Sequence, residues 1–185
     1  YYNRVHDYPN RKWYATATIS NAIGQGEVLL TPMQMASFTA AIAHRGYFYK
    51  PHLIKNIHLV DTIPSKYNEK NTTTISPEHF EAVIQGMNDV YNYGTAALLK
   101  IPDIEICGKT GTAENYTKID GRRVQLTDHS VFTAFAPKDN PKIAIAVFVE
   151  NGHYGSRWAG RIASLMIEKY LKGHITRTDM EDYVL

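Results

Sequence analysis

Apolar residues at helical spacing are clearest after Ser76-Pro77-Glu78, where Phe80, Val83, Ile84, Met87, Val90 and Tyr91 share one face and Gly94 supplies a stop. A second helix start is Thr31-Pro32-Met33-Gln34: Thr31 suits the cap, Pro32 the first helical position, and Gln34 closes a capping box. Ala, Met and Phe residues carry that helix to Arg45, and Gly46 suits its end. A third amphipathic stretch, 157–171, runs through Trp158, Ile162, Leu165, Met166 and Leu171. From Ile104 onward the period shortens, and 105–112, 130–136 and 142–150 read as strands. The run Ile143-Ala144-Ile145-Ala146-Val147-Phe148-Val149 is apolar on both faces, which predicts a central strand covered on both sides, with Ile145 and Val147 almost fully buried. Pro137-Lys138-Asp139-Asn140-Pro141 is a short turn that makes the last two strands an antiparallel hairpin.

The remaining segments are less regular. Residues 1–30 have strand- and loop-like composition around a Gly24-Gln25-Gly26 turn. Residues 47–60 read as extended with Pro51 interrupting, 61–74 as a polar surface excursion, and 95–100 as one further short helix. The polar tail from His174 is expected to fray. Together these elements predict an α/β fold with an antiparallel sheet flanked by helices on both faces. The strands near 105–112, 130–136 and 142–150 should be adjacent in that order. The helix 157–171 should cover one face, and the helix beginning at Pro32 the other. A chain of 185 residues with 44% hydrophobic content is large enough for one such domain.

Charge narrows the function. The 20 Lys+Arg stand against 18 Asp+Glu, and no basic run exceeds Arg122-Arg123, which reads as a solvated loop; nucleic acid is not an expected partner. The single Cys107 can form no intrachain disulfide, has no partner at metal-ligand spacing, and reads as a small packing residue. Histidines at 44, 52, 58, 79, 129, 153 and 174 are scattered without ligand spacing, so no metal is expected, and His129 reads as a strand-end contact. The aromatic pairs Tyr1/Tyr2 and Trp13/Tyr14 read as core. The longest apolar stretch, 143–149, is too short to span a bilayer. The polar opening Tyr1-Tyr2-Asn3-Arg4 has no signal-peptide character and reads as a boundary inside a longer chain.

The sharpest chemical feature is Gly108-Lys109-Thr110-Gly111-Thr112 on a predicted strand. A phosphate loop would need glycine at 103, where Asp103 stands, and a helix after the threonine, where 113–125 has no helical stripe. The other chemistry that uses this string is the lysine-threonine-glycine motif of serine acyl-transferases that react with β-lactams. There the lysine supplies a positive charge beside the cleft, the threonine offers a hydroxyl to a substrate carboxylate, and the glycine keeps the wall clear. As a bare tripeptide the string is equally a strand-end turn with a solvated lysine.

Further blocks lie around it. Ala22-Ile23-Gly24-Gln25-Gly26 followed by Thr31-Pro32-Met33-Gln34-Met35-Ala36, then 108–114 (GKTGTAE), 129–137 (HSVFTAFAP) and 139–152 (DNPKIAIAVFVENG), occur in this order. In these blocks the chain resembles the penicillin-binding protein transpeptidase family, most closely its class B, cell-elongation type, from about Tyr1 to Leu171. The family's Ser-x-x-Lys and Ser-x-Asn motifs are absent from this chain; the resemblance places them upstream of Tyr1.

The resemblance implies a division into 1–172, the C-terminal part of a transpeptidase domain, and 173–185, a polar tail. It implies serine acyl transfer on the D-alanyl-D-alanine end of a peptidoglycan stem peptide, inhibition by β-lactam antibiotics, and no cofactor. Lys109 resembles the carboxylate-binding lysine, Thr110 and Thr112 the hydroxyl donors, and the Thr112 backbone N–H one of two oxyanion donors. Gly111 would permit strand addition by the peptide. The resemblance further implies a parent protein anchored at the periplasmic face of the inner membrane by an N-terminal segment outside this chain, with elongation-machinery membrane proteins as partners. Alternatives within reach of the same motif are a D,D-carboxypeptidase or β-lactamase-type hydrolase, and a non-catalytic penicillin-binding sensor domain.

Overall fold

The computed structural model describes residues 13–54 and 64–185; the expectations for Tyr1/Tyr2 and for much of 47–60 lie outside the described residues. The chain divides into two compact units, Tyr1–Thr31 and Pro32–Leu185. In the first, helix α1 (Ala15–Ala22) stands where strand and loop were expected. Its alternating Ala and Thr imitate a strand pattern, yet alanine is the best helix former. Trp13 and Tyr14 are 44% and 39% exposed, not core, and the Trp13 indole N–H donates to the Thr18 hydroxyl at 2.8 Å. Gly24 (φ 76°) and Gly26 (φ 67°) make the expected turn, and the Glu27 N–H donates across it to Asn21 Oδ1 at 3.0 Å.

The second unit is built on a three-stranded antiparallel sheet of β3 (Cys107–Ala113), β6 (His129–Ala136) and β7 (Ile143–Val149), in the order β3-β6-β7. Adjacency is as the sequence predicts, but among the described residues the centre is β6 and not β7. The apolar run of β7 reflects a helix over each face rather than a hydrogen-bonded strand at each edge. Helix α2 (Pro32–Ala43) and helix α4 (Ala159–Lys172) both pack on β7 and β6. Ile42 and Ala43 of α2 meet Phe80, Ile84 and Met87 of helix α3 (Glu78–Asn92) over Cys107, Phe135 and Ala144. On the other face Ala159, Ala163 and Ile167 of α4 pack with Leu99, Ile106, Phe132, Ala134 and Ile145.

Ile145 is 8% exposed, whereas Val147, also expected deep in the core, is half-buried. Ile145→Ala is therefore expected to cost about 2–3 kcal/mol, as for a large-to-small core change, and Val147→Ala clearly less. Urea denaturation of the full-length protein carrying this chain measures both; equal costs would place the two side chains at equal depth.

Several elements depart from the pattern reading. Helix α2 ends at Ala43 because Arg45 (φ 56°) and Gly46 (φ 108°) are both left-handed, and the Gly46 N–H returns to Ala41 O. Short strands β1 (Tyr47–Phe48) and β2 (Asn71–Thr72) pair with each other, with a 3-10 turn at Ser65–Tyr67 between them. The stretch 95–100 contains a 3-10 turn, Ala97–Leu99. The segment after the lysine-threonine-glycine strand is a hairpin, β4 (Tyr116–Ile119) and β5 (Arg122–Gln125), closed by Asp120 (φ 51°) and Gly121 (φ 76°). That Asp-Gly pair is the sequence signal for a two-residue turn with both residues at positive φ.

Helix α4 buries Ala159, Gly160, Ala163, Ser164, Leu165, Ile167 and Glu168, while Met166 is exposed. Its buried face is thus rotated from the Trp158–Ile162–Met166 line. The tail does not fray. Gly173 (φ 79°) caps α4 through its N–H to Lys169 O, and helix α5 (Thr178–Val184) folds back, with Tyr183 tilted against Trp158 at 5.3 Å. The hinge is held by Glu168, whose side chain is wholly buried. The Arg177 Nε donates to Oε2 at 2.9 Å, and the Thr176 N–H and hydroxyl donate to Oε1. The same guanidinium donates from Nη1 to the Leu99 and Lys100 carbonyls at 3.1 and 3.3 Å, and the Ser164 hydroxyl donates to Leu99 O at 2.7 Å.

Candidate active site

Strand β3 is an outer strand of the sheet, paired only with β6 among the described residues. Side chains alternate along it. Cys107 belongs to the cluster under α2 and α3, so Lys109 and Gly111 share that face; Thr110 and Thr112 share the opposite one with Gly108. The four predicted site residues are contiguous, but they serve the edge from two sides.

Lys109 is exposed, and its Nζ donates to the backbone carbonyl of Thr110 at 2.8 Å. The exposed ammonium thus folds back onto the main chain of its own outer strand. The half-buried Thr110 hydroxyl lies 2.8 Å from the Thr95 hydroxyl. Thr112 is exposed and opposite Ser130 in the ladder.

Glycine is required for space at 108, where a Cβ would lie 2.9 Å from Thr133 O and from Tyr91 Cε2; at Gly111 a Cβ would make a tight contact of 3.3 Å with Val131 Cβ. The loop after β7 crosses directly over the strand pair. A Cβ on Gly155 would stand 2.5 Å from Gly111 O and 2.6 Å from Val131 O. Ser130 pins that loop, its hydroxyl donating to Tyr154 O at 2.8 Å and accepting the Ala159 N–H at 3.1 Å.

Two of the chain's serines are therefore structural: Ser130 in that loop anchor and Ser164 on Leu99 O, both fully buried. Cys107 is fully buried, and burial pushes its thiol up to about 12, so it stays a neutral packing group. His129 is the strand-end contact the sequence suggests: its Nδ1 accepts the Asn151 N–H at 3.1 Å, and its ring tilts on Phe148 at 5.1 Å. Among the described residues no group of three His, Cys, Asp or Glu could hold a metal. The arrangement offers a cation, hydroxyls and a strand that among the described residues pairs on one side only. Such a set is chemically suited to a carboxylate and an extended peptide.

Sequence reasoning missed Thr95 and Gly155. Thr95 is 15 residues from its partner, so no local pattern reveals it. Gly155 had a faint signal, its spacing of three from Gly152.

Residues 3–168 match the penicillin-binding protein transpeptidase domain. Over 169 residues the chain is 34% identical to the peptidoglycan D,D-transpeptidase MrdA of Acinetobacter baumannii, covering 86% of this chain and 25% of that protein. The crystal structure of Pseudomonas aeruginosa PBP2 in complex with WCK 5153 superposes with a TM-score of 0.70 at 28% identity, covering 95% of this chain and 38% of that one. The imipenem acyl-enzyme of penicillin-binding protein A from M. tuberculosis gives 0.66 at 30% identity, covering 82% and 33%. The chain thus spans about a quarter of the curated relative's length. It belongs to the penicillin-binding protein transpeptidase domain family and is of its class B type.

Proposed function

We propose that this chain is the substrate-binding side of a peptidoglycan D,D-transpeptidase, with residues 1–172 the C-terminal part of its catalytic domain and 173–185 a tail folded onto α4. The observation that carries this reading is the Lys109-Thr110-Gly111-Thr112 run on an outer strand that among the described residues pairs only with β6, inside a family match that spans residues 3–168. Lys109, Thr110 and Thr112 hold the terminal carboxylate of the D-alanyl-D-alanine stem. The stem peptide adds to the β3 edge as a further strand, with Gly111 permitting its approach.

The chemistry is acyl transfer. A serine oxygen, from a Ser-x-x-Lys motif outside this chain, attacks the penultimate D-alanine carbonyl and forms an acyl ester. The peptide bond breaks, and the terminal D-alanine leaves with the proton on its amine. The amine of a second stem then displaces the serine, which regains a proton, and a cross-link results. The Thr112 N–H is one of the two donors to the carbonyl oxygen as it becomes negative. A β-lactam enters the first half of this cycle and stops at the ester.

Substrate and product lie outside the cytoplasm, so the site works at the periplasmic face, with elongation-machinery membrane proteins beside it. Among the described residues no helix is long and apolar enough to cross a membrane, and an anchor would be supplied from elsewhere in the protein.

Fluorescent penicillin tests the assignment. The full-length protein is expected to label stoichiometrically on a serine outside these residues, and the 185-residue chain alone to remain unlabelled. An adduct on this polypeptide, or none on the full-length protein, would overturn it. Supplying a stem-peptide donor with and without an amine acceptor separates transfer from simple hydrolysis; hydrolysis alone would mark a carboxypeptidase or β-lactamase.

A further inference from the structure

We propose that Thr95 is a positioning residue for the site, fixing the Thr110 hydroxyl so that its proton points at the substrate carboxylate. The inference rests on the reading of β3 as the carboxylate-binding strand, and adds to it a residue outside the motif. The two hydroxyl oxygens are 2.8 Å apart, and either can donate. A threonine hydroxyl has one proton and two acceptor lone pairs. If Thr110 donates to Thr95, its proton is spent inside the protein, and a carboxylate, which only accepts, meets lone pairs. If Thr95 donates, Thr110 keeps its proton for the ligand. An arriving carboxylate selects the second orientation, and the relay Thr95 to Thr110 to carboxylate polarises in one direction.

The backbone around Thr95 explains why its hydroxyl is held there despite its exposure. The Gly94 N–H donates to Asp89 O at 3.1 Å, and the Ala96 N–H to Val90 O at 3.1 Å, so the residues on both sides are tied to the last turn of α3. A Cβ on Gly94 would lie 2.9 Å from Val90 Cα, which makes this tight reversal a glycine position. Ala96 is fully buried and anchors the segment from the other side. Thr95 adds a β-branched side chain with restricted χ1 to a fixed backbone. On the strand, the Lys109 ammonium holds the Thr110 carbonyl at 2.8 Å. Main chain and hydroxyl of Thr110 are thus each held by a different neighbour.

The test uses the full-length protein and two acylating agents, a β-lactam with its free carboxylate and the methyl ester of the same compound. Thr95→Val keeps the shape and removes the hydroxyl. It is expected to slow acylation by the carboxylate form about tenfold, the scale of a weakened hydrogen bond to a charged group. Acylation by the ester should change by less than about twofold, because no anion is there to use the oriented proton. Thr95→Ser should restore the rate, and in a Thr110→Val background the Thr95 change should have no further effect. The melting temperature should stay at the wild-type value. An unchanged carboxylate rate, or an equal loss for both agents, overturns the positioning role alone. A wild-type protein that neither agent acylates overturns the transpeptidase reading, and this one with it.

Discussion

Glu168→Ala is expected to destabilise the protein by about 3–5 kcal/mol, the cost of removing one partner from a buried ion pair. The carboxylate is 0% exposed and the Arg177 side chain 15% exposed. Truncation leaves a guanidinium committed to the Leu99 and Lys100 carbonyls with no counter-charge. It also strips the acceptor from the Thr176 N–H and hydroxyl. The acid dependence has a defined sign. Burial alone would raise the Glu168 pKa, but the hydrogen bonds from Thr176 and Arg177 and the charge of Arg177 outweigh it and hold the carboxyl below its ordinary 4.5. A depressed carboxyl contributes stability that is complete above the unfolded-state value and is lost as pH falls through the folded one. The wild type should therefore weaken as pH drops below 4.5, and Glu168→Gln should lack that part of the acid limb. Urea denaturation at neutral pH and along the acid limb measures both. A loss under about 1 kcal/mol would mean that the pair behaves as an exposed one.

Lys109→Ala should slow β-lactam acylation of the full-length protein at least about a hundredfold, equivalent to roughly 2.7 kcal/mol of transition-state stabilisation. The ammonium lies on the Thr110 carbonyl of the outer strand, one residue from the hydroxyl proposed to meet the carboxylate. An ordinary exposed lysine contributes at most about 1 kcal/mol through any ion pair, so a mere surface charge would leave the rate nearly unchanged. Thermal stability should hold, because the side chain is exposed and the core beneath it is Cys107 and Phe135. Unchanged acylation, or a loss that only follows unfolding, would return Lys109 to the solvent.

The contrast between these two residues shows what a sequence discloses. Lys109 sits in a string whose neighbours match a family in order, so its strand and its exposure were readable before any coordinate. Glu168 is not among the apolar positions that mark the 157–171 helix, yet it is buried. Its burial depends on Arg177 arriving from a tail whose polarity suggested fraying. Periodicity reports which residues would like to be inside, and a paired charge escapes it. The same limit explains β7: a wholly apolar strand announces cover on both faces, and says nothing about its place in the hydrogen-bonded order. The β4–β5 hairpin was missed because β5 is exposed throughout and β4 nearly so, leaving no alternation to detect; only Asp120-Gly121 marked it. Thr95 was beyond reach for a different reason. A hydroxyl pair across 15 residues leaves no periodic trace.

The crossing at Gly155 has a mechanical meaning. Where the loop passes over β3 and β6, the nearest atoms are the main chain of Gly111 and Val131, so close that even a methyl group would stand 2.5 Å from an oxygen. Most packed surfaces are lined by side chains, whose rotamers yield and absorb small displacements. Here backbone rests on backbone, and close-packed atoms transmit strain when nothing between them can deform. The loop, pinned through Ser130 to Tyr154 and Ala159, is in effect a rigid brace laid across the strand pair. Its stiffness comes from the absence of a side chain at Gly155.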